Sequence, residues 1–195
     1  DSRAFQQALQ DHAIDLSFAS GRDHFHGKLK TLSKHKVLAS ELLHDALTSP
    51  RFDDDALNRM KNGNITRIKS SLANTDWLAS RLMNDVYFGD HLYARNSGGT
   101  LSGIAGLTAG DLREFSKNHL TQDRLIIAIA GDITEDDAKL LADDIFGQLP
   151  KGGDKNDLKD ISPPMESVKK AFKTNSPQSS VQMIWPLFPK SDPDY

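Results

Sequence analysis

His24 and His26 stand two residues apart in a segment that alternates like a strand, so both imidazoles fall on one side and could form part of a metal site. No third ligand is evident nearby, and alternating histidines on an exposed strand face are usually solvated. His35 and His44 are nine residues apart, too far to share one metal on one helix, and both are expected at the surface or at helix ends. Ser, His and Asp are plentiful, but no Gly-x-Ser-x-Gly elbow accompanies them, which argues against a hydrolase triad. Asn96-Ser97-Gly98-Gly99-Thr100-Leu101-Ser102-Gly103 has the glycine content of a phosphate loop. It lacks the Lys-Ser/Thr ending and the preceding buried strand, and reads as a connection. Trp77 and Tyr87 read as core residues, and Asp132, after Gly131, as a cap or turn residue.

Composition narrows the chemistry further. The 195 residues are 37% hydrophobic and 26% charged, an ordinary globular mixture with room for one domain, or one domain and part of another. A net charge of −3, with basic residues scattered among acids, supplies no drive toward nucleic acid. Cysteine is absent, which excludes thiolate zinc sites, cysteine nucleophiles and disulfides. No apolar run approaches the roughly 18 residues of a membrane span. The first residues have neither the basic nor the apolar region of a signal peptide. The chain starts without Met and stops just after a strand-like segment, as expected of a piece of a longer protein.

The elements that must position these residues follow from hydrophobic period. Ala4, Phe5, Ala8 and Leu9 predict a helix over about residues 2–12. Ile14, Leu16 and Phe18, then Phe25, Gly27 and Leu29, predict a hairpin about the turn at 20–23. Val37, Leu38, Leu42, Leu43 and Leu47 form a helical stripe with Ser33 as N-cap, ended by Pro50. Asp53-Asp54-Asp55 favours the start of a long helix running to about Leu72. Thr75 or Asp76 should cap the next, whose inward face is Trp77, Leu78, Leu82 and Val86. Another helix opens at Thr108–Leu112 and ends near His119. Leu125–Ala130 is a continuous apolar run of strand length, expected as a central strand, and Leu140, Leu141, Ile145 and Phe146 are the buried side of a helix after Thr134. Residues 150–164, rich in Lys, Gly, Asp and Pro, read as a linker, with strands expected at Val168–Phe172 and Val181–Trp185.

Several fragments, in this order and spacing, resemble the M16 peptidases, the group of pitrilysin, insulin-degrading enzyme and mitochondrial processing peptidase. Glu41 to Phe52 is similar to the family's helix and its Pro-x-Phe turn, and Leu57–Lys61 to the start of the long helix that follows. Gly89-Asp90-His91-Leu92-Tyr93 resembles the family's His-Pro-Tyr loop, with Leu92 where proline is usual. Gly99-Thr100 with Ile104, Leu107–Leu112 and Ala130-Gly131-Asp132-Ile133 resemble three further signatures, and Asp192-Pro193-Asp194-Tyr195 the opening of the next domain's first long helix.

The resemblance implies an α+β fold, a mainly antiparallel sheet with helices packed on one face. Residues 1–149 would be the C-terminal portion of one such domain, 150–164 a linker and 165–195 the start of a second. Active members hold zinc through His-x-x-Glu-His on one helix and a Glu on the long helix, leaving one position for a water that a nearby Glu deprotonates. This chain has no His-x-x-Glu-His, and no Glu between Glu41 and Glu114. The resemblance puts Arg67 at the third-ligand position, with Met60 where a supporting Glu is common. A guanidinium has five donors and no acceptor, so Arg67 cannot ligate zinc. The expectation is a non-catalytic module of a zinc endopeptidase, with no catalytic residue and no metal of its own. It would help to enclose a peptide substrate, and zinc would sit in a partner domain or subunit bearing His-x-x-Glu-His. A competent peptidase whose motif lies upstream, and a purely structural subunit of an assembly, are the alternatives. The expected location is periplasmic, with mitochondrial matrix or cytoplasm as alternatives.

Overall fold

The computed structural model describes residues 2–153, 158, 161, 164, 166–188 and 192–193. Residues 154–157, 159–160 and 162–163 of the expected linker lie outside the described residues, as do Asp194 and Tyr195. The chain divides into two compact units: 1–57 with 107–155, and 58–106 with 156–195. The fold is helix-rich with a small antiparallel sheet, in keeping with the α+β expectation.

The first unit is built around α1 (Ser2–Asp11), β1 (Asp15–Ser20) and β2 (Phe25–Lys30). Helix α1 ends in paired C-terminal bonds, Ala13 N–H to the Gln10 carbonyl at 3.2 Å and Ile14 N–H to the Leu9 carbonyl at 2.8 Å. This is a Schellman closure, which needs a left-handed residue at its centre, and Ala13 takes φ 52° there in place of the usual glycine. The closure brings Ile14 back onto Leu9, and both are buried with Ala39 in a cluster flanked by Phe5, Leu16, Leu29, Leu38 and Leu42. Ile14→Ala should therefore lose about 2–5 kcal/mol, the range for a large aliphatic side chain truncated in a core. Urea unfolding followed by far-UV circular dichroism would measure it.

The hairpin pairs Asp15 with Lys30 through Ser20 with Phe25. Gly27 lies opposite Phe18, and a Cβ there would come within 3.2 Å of the Phe18 ring, so the glycine makes room for an aromatic that stacks on Phe25 at 5.5 Å. A one-turn 3-10 segment, Ser33–His35, then leads into α2 (Lys36–Thr48). Ser33 is inside that turn and does not cap α2. His35 occupies the cap position without a side-chain bond, because the turn already satisfies local N–H groups through its own carbonyls. The buried side of α2 is Ala39, Ser40 and Leu43, whereas Val37, expected on the stripe, is exposed.

Helix α3 (Asp54–Ser71) starts on its acidic turn as expected, its first residues in the first unit and the remainder in the second. Before it, the Pro50-Arg51-Phe52 turn is held by Arg113, which donates to the Arg51 carbonyl at 3.2 Å and lies over the Phe52 ring. Arg113 belongs to α6 (Ala109–His119), whose first turn is closed by a reciprocal capping box. The Thr108 hydroxyl accepts from the Asp111 N–H, and the Asp111 carboxylate accepts from the Thr108 N–H and hydroxyl at 2.7 Å each. Those two donors, the hydroxyl first, hold the Asp111 pKa below its ordinary value. Because the folded value is the lower one, the contribution is present above the ordinary carboxylate pKa and is lost as pH falls through the lowered one. An NMR titration of Asp111 should show its midpoint rising toward the ordinary value in Thr108→Ala.

Helix α7 (Glu135–Phe146), capped by Thr134, packs on α2 through buried Ile145. His44 Nδ1 lies 2.9 Å from the Ile145 carbonyl. Beyond α7, Gln122 bonds the carbonyls of Gly147, Leu149 and Pro150, and Leu149 and Thr121 are buried beside them. Leu140, expected on the buried side of α7, is exposed.

Among the described residues the run Leu125–Ala130 carries no strand pairing. Ile126 is 90% exposed, and among the described residues no N–H of 126–130 donates a hydrogen bond. A strand is a property of a pair: apolar residues on both faces set the propensity, but a neighbouring backbone must supply the donors and acceptors. Among the described residues the expected strands at Val168–Phe172 and Val181–Trp185 are likewise unpaired, for the same reason.

In the second unit, α4 (Thr75–Phe88) is capped by Asn74, which accepts from the Trp77 N–H at 2.9 Å; neither Thr75 nor Asp76 is the cap. Trp77, Leu78, Leu82 and Val86 are half-buried. Arg81 donates to the Ala94 carbonyl at 2.6 Å and to Asp85 at 2.5 Å, fastening the loop that follows α4 back onto the helix. Gly89 at the end of α4 has φ 53°, which glycine adopts without strain. A short helix, α5 (Leu101–Gly106), follows the glycine-rich loop.

Candidate functional site

The residues of greatest interest lie along α3, where the 3.6-residue period sets Met60, Asn64, Arg67 and Ser71 along one side. Arg67 is exposed and donates from Nη2 to Asn64 Oδ1 at 2.9 Å, while its carbonyl accepts from the Ser71 hydroxyl at 3.0 Å. A Cβ at Gly98 would approach Arg67 Nη2 to 3.3 Å, so the guanidinium reaches the turn before α5. Met60 is 66% exposed. This side of α3 offers a guanidinium, an amide, a thioether and a hydroxyl, and no carboxylate. Such a set can bind through donated hydrogen bonds, but it cannot hold a hydrolytic zinc or take a proton from water.

The glycine-rich loop spends its polar groups on itself. Asn96 donates to the Gly99 carbonyl, and the Thr100 hydroxyl accepts from the Gly103 N–H. Gly99, at φ 77°, makes the turn. Asp132 sits in a tight turn in which the Ile133 N–H bonds the Gly131 carbonyl, and Thr134, not Asp132, caps α7.

His24 and His26 are exposed, with ring centroids 5.8 Å apart. His44 is a packing residue joining α2 to α7, a role its spacing along the sequence did not show because the partner carbonyl is 101 residues away. His35 is brought beside His12, with ring centroids 4.8 Å apart. The His35 pKa is lowered, by desolvation first and then by the charges of Lys34 and His12. Sequence reasoning missed this pair. His12 and His35 share no motif, and only the packing of α1 against the start of α2 unites them. Among the described residues no group of three or more His, Cys, Asp or Glu is placed to hold a metal ion. No helix among them is long and apolar enough to cross a membrane.

Residues 106–195 match the family model described as Peptidase M16 inactive domain. A crystal structure of a peptidase M16 inactive domain from Pseudomonas fluorescens superposes with a TM-score of 0.79 at 25% identity, over 83% of this chain and 40% of that one. The "Non-peptidase homolog YmxG" of Helicobacter pylori is 23% identical over 148 residues, 76% of this chain and 34% of the relative. The "Uncharacterized zinc protease YmxG" of Bacillus subtilis is 27% identical over 106 residues, 54% of this chain and 26% of the relative. This chain thus spans about a third or less of the length of these curated relatives. From the ordered signatures, the inactive-domain match of residues 106–195 and the shared fold, the chain is similar to the M16 peptidases, and its C-terminal part to their inactive domain.

Proposed function

We propose that this chain is a non-catalytic module of an M16 zinc endopeptidase. It pairs with a domain or subunit that carries His-x-x-Glu-His and the zinc, and it helps to enclose the peptide substrate. The observation that carries the reading is Arg67. The sequence resemblance puts it at the family's third-ligand position, and it lies on a side of α3 that contains no carboxylate. The inactive-domain match of residues 106–195 supports it. Within the same proposal, residues 1–149 belong to one M16-like domain, 150–164 link it onward, and 165–195 begin a second.

A second reading, a competent peptidase with its motif upstream, draws on the zinc-protease name of the Bacillus relative. Co-expressing the full-length protein with any His-x-x-Glu-His protein encoded beside it, followed by size exclusion and a peptide-cleavage assay, separates the two. A stable complex with activity that depends on both partners supports the module. Metal-dependent activity from the full-length protein alone supports the competent enzyme.

A further inference from the structure

We infer that His12 and His35 form a two-imidazole clamp for a borderline divalent cation, Zn2+, Ni2+ or Cu2+, which ties the end of α1 to the start of α2. The two rings come from different elements, each with its backbone fixed. His12 is the last residue before the left-handed Ala13 of the α1 closure, and His35 is the residue from which α2 departs. Both are half-buried, and the elements that carry them are pinned by the Leu9, Ile14 and Ala39 cluster. The side chains are therefore held near one another before any ligand arrives, which lowers the ordering cost of binding.

Two imidazole nitrogens bound at about 2.0–2.1 Å to one tetrahedral ion put their ring centres on the order of 5 Å apart. The observed centroid separation is 4.8 Å, with the planes at 65°. His24 and His26 are wider, at 5.8 Å, and exposed at the hairpin end. Imidazole suits zinc, copper and nickel, whereas magnesium and calcium prefer oxygen. Lys34, next to His35 in sequence, repels a cation. Asp11, beside His12, accepts from Gln7 Nε2 at 2.7 Å. With two protein ligands, water fills the other positions. The ion would be held weakly, would exchange readily, and would have no carboxylate base to make it hydrolytic.

The test adds NiCl2 or ZnCl2 to the purified, untagged chain at pH 7.5 and follows thermal unfolding, with EDTA as reversal. An ion that binds the folded form raises Tm with concentration. The expected result is a metal-dependent rise, abolished in His12→Gln and in His35→Gln and retained in His24→Gln/His26→Gln. NMR of the wild-type protein with substoichiometric Ni2+ needs no variant to fold: the ring resonances of His12 and His35 should broaden before those of His24 and His26. No rise in Tm with either metal, a rise that survives both single variants, or first broadening at His24 and His26 would overturn the clamp.

Discussion

Arg67→Glu is expected to give no peptidase activity. The substitution would place a carboxylate at the position that the sequence resemblance assigns to the third ligand, on an exposed side of α3 next to Asn64. A single carboxylate cannot hold a zinc ion in an open tetrahedral site. Two further ligands and a base for the bound water are needed, and this chain has no His-x-x-Glu-His to supply them. The same logic predicts that the untagged chain, purified without added metal, carries no stoichiometric zinc. Elemental analysis and a chelator-sensitive peptide-library assay check both points. One tightly held zinc per chain, lost on mutating His24 or His26, would sink the zinc-free prediction. Chelator-sensitive cleavage by Arg67→Glu would sink the prediction for that variant and show that a metal site already exists here. The His12–His35 clamp predicts neither outcome, because it concerns an exchangeable ion supplied from outside.

The second large effect lies in the paired form. If this module completes a chamber, the full-length protein together with its His-x-x-Glu-His partner should cleave peptides that neither cleaves well alone. That is a near on–off difference in a discontinuous cleavage assay. A stable pair of this kind needs an interface of standard size, on the order of 1,600 Å² of total buried surface. The complex should therefore survive size exclusion at micromolar concentration. A catalytic partner that is equally active without this protein would leave the structural-subunit reading in its place.

Local order was legible in the sequence wherever it depends on near neighbours. The α1 stripe of Phe5 and Leu9, the hairpin alternation, the acidic start of α3 and the opening of α6 at Thr108 all stand within a few residues of where hydrophobic period and capping chemistry put them. The misses share one cause. Ser33, Thr75 and Asp76 are good capping residues by type, but which residue caps depends on where the preceding backbone turns, and the 3-10 segment and Asn74 decide it. Val37 and Leu140 are apolar and in helical phase, yet which arc of a helix is covered depends on what packs against it.

The sequence by itself carried the resemblance to M16 peptidases and the absence of a carboxylate from the expected ligand position. Ordered signatures need no coordinates to be recognised, and the absence of Glu from residue 42 to residue 113 is a fact of composition that no folding can reverse. Tertiary structure alone decided three things. It joined His44 to the Ile145 carbonyl and set His12 beside His35, because chain segments far apart in sequence meet only through packing. It left Leu125–Ala130 without a strand partner among the described residues, because apolar residues can favour a strand but only a neighbouring backbone can make one.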